Sequence, residues 1–125
     1  MAVAYVDTSC LVAIAFGERG ATALARRLAR FDDVLSSTLL EAELRATFRR
    51  EGIPGDPSLL RAVSWIVPDR PLSPEISRVL QVRYIRGPDC FHLATALYLG
   101  DPGSVSFLTL DERQQAVAAD LGFKT

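Results

Sequence analysis

Two patterns of apolar residues alternate along this chain of 125 residues. Short apolar runs are typical of strands buried in a parallel sheet, whereas apolar residues repeated every three or four positions are typical of amphipathic helices. The short runs predict strands at residues 2–6, 34–37 and 105–110. The periodic segments predict helices at residues 9–15, 21–30, 38–51, 57–66, 73–84, 88–99 and 111–122. This alternation indicates an α/β fold, with a central, mainly parallel sheet covered by helices on both faces, in one domain over residues 1–125.

Several helix starts carry capping signals. Thr8 can cap the first helix, because a threonine hydroxyl accepts a hydrogen bond from a free N–H of the first turn. Thr38, followed three residues later by Glu41, has the spacing of a capping box, in which each side chain bonds the backbone N–H of the other residue. Thr109 and Glu112 repeat this spacing at the last helix. We therefore predict that both glutamates have structural roles at helix starts.

Composition excludes several classes of protein. With 49% hydrophobic and 23% charged residues, the chain matches an ordinary globular domain and is too apolar for a disordered one. Lys and Arg total 14 against 15 Asp and Glu, so the net charge is -1. No overall basic field indicates nucleic-acid binding, although a local basic patch is not excluded. The phosphate-binding patterns GxxxxGK[ST] and GxGxxG are both absent from the sequence.

The first residues and the cysteines indicate a cellular location. The opening segment AVAYVDTSCLVAIAF is apolar, but it lacks a basic leading region and is interrupted by Asp7, unlike a signal peptide. No apolar run reaches the ~20 residues that span a bilayer. Cys10 and Cys90 are too few and too far apart for a disulfide framework or a zinc site. We expect a cytoplasmic protein that does not contact membranes.

Four acidic residues occupy positions where a parallel sheet binds ligands. Asp7 and Asp111 follow predicted strands, and ligands of such sheets bind beyond the carboxyl ends of the strands. Asp89 lies in the first turn of a predicted helix, and Glu43 lies one turn into another. If the four converge, their mutual repulsion requires a cation. Oxygen ligands without Cys or clustered His select Mg²⁺ or Mn²⁺, which hold phosphate oxygens and activate water in carboxylate-rich nucleases.

Each of these acids also has a structural alternative. Asp7 can be a helix cap, and Asp89 and Asp111 can be favourable charges in the first turns of helices. Glu43 can be a solvated helix residue. Glu41 competes with Glu43, since it projects nearer the apolar face of its helix, but the capping box gives Glu41 another role.

The only histidine, His92, lies one turn after Asp89 on the same predicted helix. Three roles are open to it: a hydrogen-bond partner of an acidic residue, a proton carrier, or a core histidine whose hydrogen bonds are satisfied. The sequence does not decide between these roles, and it leaves the role of Thr109 beyond the cap open as well.

Four segments together resemble a known family. The first segment is DTS at the end of the first strand, and the second is SSTLLEAELRA, in which two serines precede an acid. The third is PDCFHLATAL, which is similar to a DALHLATAL motif. The fourth is FLTLDERQQAVAADLG, which combines a strand, the pattern TxDER and a closing helix. In this order they resemble the PIN-domain family of metal-dependent ribonucleases, specifically the VapC-type toxins of bacterial toxin–antitoxin pairs. The resemblance covers residues 3–123 and selects Glu43 over Glu41. In the closing helix, Gln114 and Gln115 replace an apolar step of the family pattern.

This resemblance implies a three-layer fold with a five-stranded sheet in the order 3-2-1-4-5. It also implies that Asp7, Glu43, Asp89 and Asp111 converge on one or two Mg²⁺ or Mn²⁺ ions, with Asp7 and Asp89 as principal ligands. The implied reaction is hydrolysis of RNA phosphodiester bonds by metal-activated water. The implied partners are the RNA substrate, a cognate antitoxin that covers the cleft, and a second copy of the chain in a homodimer.

Two other functions stay open at this point. A PIN-like module with weak or no catalysis would bind RNA or protein without turnover, although none of the four acids is missing here. A nuclease that acts on DNA would use the same metal chemistry, because the contact to the 2′-hydroxyl that separates RNA from DNA has no local sequence signature.

Overall fold

One parallel sheet organises the protein, and the computed structural model describes it for all residues 1–125. Every pair of neighbouring strands is parallel, and the order is β3-β2-β1-β4, so that β1 lies inside the sheet. The strands are β1 (Val3–Val6), β2 (Asp33–Ser37), β3 (Ser64–Ile66) and β4 (Val105–Leu108). The α/β class that the alternating pattern predicts is therefore confirmed.

Helices cover both faces of the sheet and form two hydrophobic cores. They are α1 (Thr8–Ala15), α2 (Ala21–Leu28), α3 (Thr38–Glu51), α4 (Pro57–Arg61), α5 (Ser73–Val82), α6 (Gly87–Tyr98) and α7 (Glu112–Asp120). Because side chains alternate along a strand, Tyr5 of β1 points into the core formed with α5, α6 and α7, while Ala4 and Val6 point into the core formed with α1 and α3. None of the helices has both the length and the apolar content of a membrane-spanning segment.

The predicted helix over residues 57–66 is wrong in its second half. The helix α4 ends at Arg61, and residues 64–66 form the edge strand β3 beside β2. Backbone pairing with β2 and burial of Ile66 stabilise the extended conformation here. A strand of only three residues is too short for periodicity to distinguish it from the end of a helix.

The sheet has four strands, so the five that the family resemblance implies are not all present. The position beside β4 holds a single bridge between Ser106 and Lys124. Its two backbone hydrogen bonds run from Phe107 N to the Lys124 carbonyl and from Lys124 N to the Val105 carbonyl. Phe123 is buried in the core and packs against Phe107 of β4, so this segment joins β4 through one bridge and one aromatic contact rather than through an extended ladder.

The predicted caps are displaced along the chain. Ser37, not Thr38, caps α3, because its hydroxyl accepts a hydrogen bond from Leu39 N, and no box with Glu41 forms. Glu41 instead pairs with Arg45 one turn later, at 3.0 Å. The spacing alone does not reveal the displacement, because two adjacent hydroxyl residues offer two equivalent starting points.

Thr8 and Thr109, the other two threonines predicted as helix caps, are not the N-cap residues of their helices. Asp111 rather than Thr109 caps α7, since its carboxylate accepts a hydrogen bond from Gln114 N. At α1 the N-cap position belongs to Asp7, and Thr8 is the first helical residue. The carboxylate of Asp7 makes no capping hydrogen bond, which leaves it available for other contacts.

We expect Phe123→Ala to lower the free energy of unfolding by about 3–4 kcal/mol, because it removes a buried ring and leaves a cavity. Phe123 packs against Phe107 of β4 with ring centroids 5.7 Å apart. Urea denaturation measures the change. The exposed neighbour Lys124 provides the control, and Lys124→Ala should change stability by less than ~0.5 kcal/mol. Equal effects of the two substitutions would contradict this account of the C-terminal segment.

Candidate functional site

The candidate site lies at the carboxyl edge of the sheet, where β1 and β4 end side by side. The backbone ladder continues past β1, since Asp7 N donates to the Leu108 carbonyl at 3.2 Å. Thr109 therefore lies next to Asp7, and its hydroxyl donates to Asp7 Oδ2 at 2.6 Å. Parallel pairing thus brings together two residues that are about a hundred positions apart in the chain.

Asp7 is a buried carboxylate without a positively charged partner. Only 4% of the residue is exposed, and both carboxylate oxygens accept hydrogen bonds from hydroxyl groups: Oδ1 from Ser9 at 2.6 Å and Oδ2 from Thr109. Burial raises the pKa of the Asp7 carboxyl above its ordinary value, and the two hydroxyl donors offset only part of this effect. A cation bound here would therefore compensate a charge that folding has removed from water.

Glu43 reaches the same edge from α3. Its Oε1 accepts a hydrogen bond from the Thr8 hydroxyl at 2.7 Å and lies 3.2 Å from His92 Nε2. The hydrogen bond with His92 is the largest influence on the pKa of Glu43 and lowers it below the ordinary value, against the opposing effect of burial. Glu43 is therefore held as a carboxylate by neighbours from α1 and α6.

Asp89 and Asp111 face each other across a small cavity. This cavity, of about 60 Å³, is lined by both aspartates together with Tyr84, Ile85, Arg86 and Arg113. The Oδ2 atom of Asp89 lies 3.4 Å from the guanidinium of Arg86, three residues earlier. One oxygen of Asp111 is used for the cap of α7. Two acids and two arginines therefore share one opening at the protein surface.

Gln114 joins these elements and is the residue that sequence reasoning missed. It is completely buried, its side-chain amide donates to the Asp89 carbonyl at 3.2 Å, and its Oε1 lies 2.9 Å from the Thr109 hydroxyl. In the sequence, Gln114 stands out only as a polar residue at an otherwise apolar step of the closing helix. The signal that identifies it is its position three residues after Asp111, which is the spacing of a capping interaction.

The comparison with family models decides the classification of this chain. The model described as the PIN domain matches residues 4–120. The chain belongs to the PIN domain family. A comparison with curated proteins finds no match. PIN domains are generally nucleases and typically use divalent metal ions, so the acidic edge of the sheet is the place to look for such an ion.

The four acids of this PIN domain have a donor chemistry that suits Mg²⁺ or Mn²⁺, because all their ligand atoms are carboxylate oxygens. No three His, Cys, Asp or Glu side chains are grouped closely enough to hold a metal ion, however. Each carboxylate has its own protein donors instead. Those donors are Ser9 and Thr109 for Asp7, Thr8 and His92 for Glu43, Arg86 for Asp89, and Gln114 N for Asp111.

We expect Asp7→Asn to stabilise the metal-free PIN domain at neutral pH. A raised pKa means that the folded state holds the Asp7 proton more tightly, so stability falls as pH rises from about 4, the ordinary value for Asp, through the folded value. Asn removes this loss: its Oδ1 accepts from the Ser9 hydroxyl, and its Nδ2 donates to the Thr109 oxygen, whose proton then turns to Gln114 Oε1 at 2.9 Å. The melting temperature in EDTA at pH 7 should rise by about 3 °C or more, and the difference should shrink toward pH 4.

Glu112→Gln is the matched control for this measurement, because it removes one negative charge from an exposed residue beside the site. It should shift the melting temperature by no more than ~2 °C at either pH, as most surface substitutions do. A lower melting temperature for Asp7→Asn at pH 7 would show that the ionised carboxylate stabilises the fold.

We expect Gln114→Leu to cost about 1–3 kcal/mol of unfolding free energy, although the two side chains have similar volumes. The substitution leaves the Asp89 carbonyl without the amide donor of Gln114. Gln115→Leu, at the exposed neighbouring position, is the control and should change stability by less than ~0.5 kcal/mol. Chemical denaturation compares the two variants, and similar values would argue against a structural role for the Gln114 amide.

Proposed function

We propose that this PIN domain is a metal-dependent endoribonuclease that hydrolyses RNA phosphodiester bonds with Mg²⁺ or Mn²⁺. The observation that carries the proposal is the buried carboxylate of Asp7, which has hydroxyl donors but no cationic partner at the carboxyl end of the central strand. A purely structural aspartate in such a position would be expected to pair with a cation or to cap the helix that follows. Asp7 does neither.

The proposed metal ligands are the four acids, with Asp7 and Asp89 as the principal ones and Glu43 and Asp111 completing the site directly or through water. An ion bound there would supply a water activated for attack and would neutralise charge on the phosphate. The protein contributes orientation: Ser9 and Thr109 hold Asp7, and the cap of α7 holds Asp111. Glu43 Oε2, Asp89 Oδ1 and Asp111 Oδ2 accept no hydrogen bond from the protein, so these atoms are available to an ion.

Two arginines support a phosphodiester as the substrate. Arg86 and Arg113 line the cavity that Asp89 and Asp111 also line. Guanidinium groups bind phosphate oxygens in a bidentate manner, and here they offset the negative charge that would otherwise repel a nucleic-acid strand. The local basic groups that the net charge did not reveal thus lie beside the acids.

We further propose that the protein acts in the cytoplasm as the toxin of a toxin–antitoxin pair and forms a homodimer. An apolar groove of about 380 Å³ between α1, α2 and α4, lined in part by Leu28 and Phe31, supports a protein partner such as an antitoxin. Exposed apolar residues near the end of α5 support self-association, since Leu80 is 46% and Tyr84 is 78% exposed.

The first experiment is cleavage of a structured RNA pool by purified protein with Mg²⁺ or Mn²⁺, with EDTA as the metal-free control and with the product ends mapped. We expect discrete cuts that require the metal. Asp7→Asn and Asp89→Asn should each reduce the rate by about 100-fold or more, because loss of a metal ligand costs at least as much as loss of the outer groups that orient it.

Two matched variants control for loss of negative charge. Glu41→Gln lies on the same helix as Glu43, and Glu112→Gln adjoins Asp111, so both should cleave like the wild type. Wild-type rates for Asp7→Asn would refute the assignment of the site. Faster cleavage of single-stranded DNA would identify a DNA nuclease, whereas RNA binding without any cleavage would identify a binding module.

A further inference from the structure

His92 is fully inside the protein, with 2% of its surface exposed, and none of the proposed chemistry requires it as a ligand. It lies between two groups that belong to different parts of the fold. Its Nδ1 is 2.6 Å from the hydroxyl of Tyr5 on β1, and its Nε2 is 3.2 Å from Oε1 of Glu43 on α3. His92 is the only histidine in the sequence, so no other imidazole in the molecule contacts a tyrosine or a glutamate.

The hydrogen bonds around Tyr5 determine which ring nitrogen of His92 carries the proton. The Tyr5 oxygen accepts a hydrogen bond from Ser37 N at 3.3 Å. Its own proton is then directed to the closer partner, His92 Nδ1. Burial raises the pKa of Tyr5 well above its ordinary value, so the phenol retains the proton that it donates. Nδ1 is therefore an acceptor, and the hydrogen of the neutral ring lies on Nε2.

The other side of the ring agrees with this tautomer. A carboxylate only accepts hydrogen bonds, so the hydrogen bond between His92 Nε2 and Glu43 Oε1 places the hydrogen on Nε2. The Thr8 hydroxyl donates to the same oxygen at 2.7 Å, and the oxygen of that hydroxyl lies 3.2 Å from His92 Nε2, so Thr8 and Glu43 share the Nε2 hydrogen as acceptors. Oε1 is thus held by two donors from different helices, while Oε2 has none in the protein. No buried side-chain polar atom in the structure lacks a hydrogen-bond partner, and both ring nitrogens of His92 have one.

We propose that Tyr5 and His92 are positioning residues for Glu43: Tyr5 holds His92 as the Nε2–H tautomer, and His92 with Thr8 fixes Oε1 so that Oε2 is presented to the divalent cation. This inference rests on the proposed function, because it assigns Glu43 a role toward the ion. Hydrogen bonds connect Ser37 N at the start of α3 to Tyr5 on β1, Tyr5 to His92 on α6, and His92 to Glu43 on α3. Thr8 of α1 contacts the same oxygen of Glu43.

Nitrogen-15 NMR of the imidazole in the metal-free wild type tests the hydrogen-bond chain directly, because the single histidine gives one pair of ring signals. We expect one protonated nitrogen, Nε2, and an unprotonated Nδ1. Tyr5→Phe, which keeps the ring stacked on Phe107, should move the Nδ1 signal because it removes the donated hydrogen bond. An Nδ1–H tautomer, a doubly protonated ring, or an unchanged Nδ1 signal in Tyr5→Phe would overturn this part.

Affinity for Mn²⁺ alone, measured by calorimetry or electron paramagnetic resonance, tests the positioning role. A glutamine amide can replace the Nε2–H donor, whereas the shorter asparagine cannot reach Glu43. We therefore expect His92→Asn to weaken Mn²⁺ binding about 10-fold and His92→Gln to stay within ~3-fold of the wild type, the range seen for groups that orient metal ligands. A folded His92→Asn protein with wild-type affinity would overturn the proposal.

A double-mutant cycle separates this role from general loss of structure. In the Glu43→Gln background, His92→Asn should have no further effect on Mn²⁺ affinity, since His92 acts through the carboxylate. Additive losses would indicate a merely structural role and overturn the proposal. If the wild type binds Mn²⁺ but cleaves no RNA, the proposed function fails while the positioning role stands. If the wild type binds no Mn²⁺, both the metal site and the positioning role are refuted.

Discussion

The parallel pairing of β1 with both β2 and β4 is the constraint on which the rest of the structure depends. Because all strands run in the same direction, their carboxyl ends lie at one edge, and the chain must leave each strand there before entering a helix. This places Asp7, Ser37 and Thr109 at the same edge although they are far apart in sequence. The site is therefore a consequence of sheet topology, and the helices only complete it.

The burial of Asp7 is the main electrostatic cost of this arrangement. A carboxylate removed from water without a cation destabilises the charged form, and hydroxyl donors compensate only partly. A cation bound beside this carboxylate would restore part of the charge compensation that water supplies to the unfolded chain. The other acids have neutral or cationic donors of their own, and no three of the acids are grouped closely enough to hold an ion by themselves.

Polar side chains from the covering helices hold the acids in place. His92 enters from α6 and contacts Glu43, whereas Gln114 enters from α7 and contacts the Asp89 carbonyl. Both are buried on helices whose inner faces are mainly apolar, with Thr95 of α6 as the other buried polar residue. A buried polar group is tolerated only when its hydrogen bonds are made, so these two residues tie the orientation of their helices to the acidic edge.

The sequence by itself determined the α/β class, the extent of α3 apart from its cap, and the positions of Asp7 and Asp111 directly after strands or turns that precede a helix. These features depend on local periodicity and on turn residues, which neighbouring residues encode. Only the tertiary structure decided that residues 64–66 form a strand and that Thr109 donates to Asp7. It alone also showed that Gln114 contacts the Asp89 carbonyl and that His92 contacts Glu43. Each of these depends on contacts between residues distant in sequence, which the local pattern does not contain.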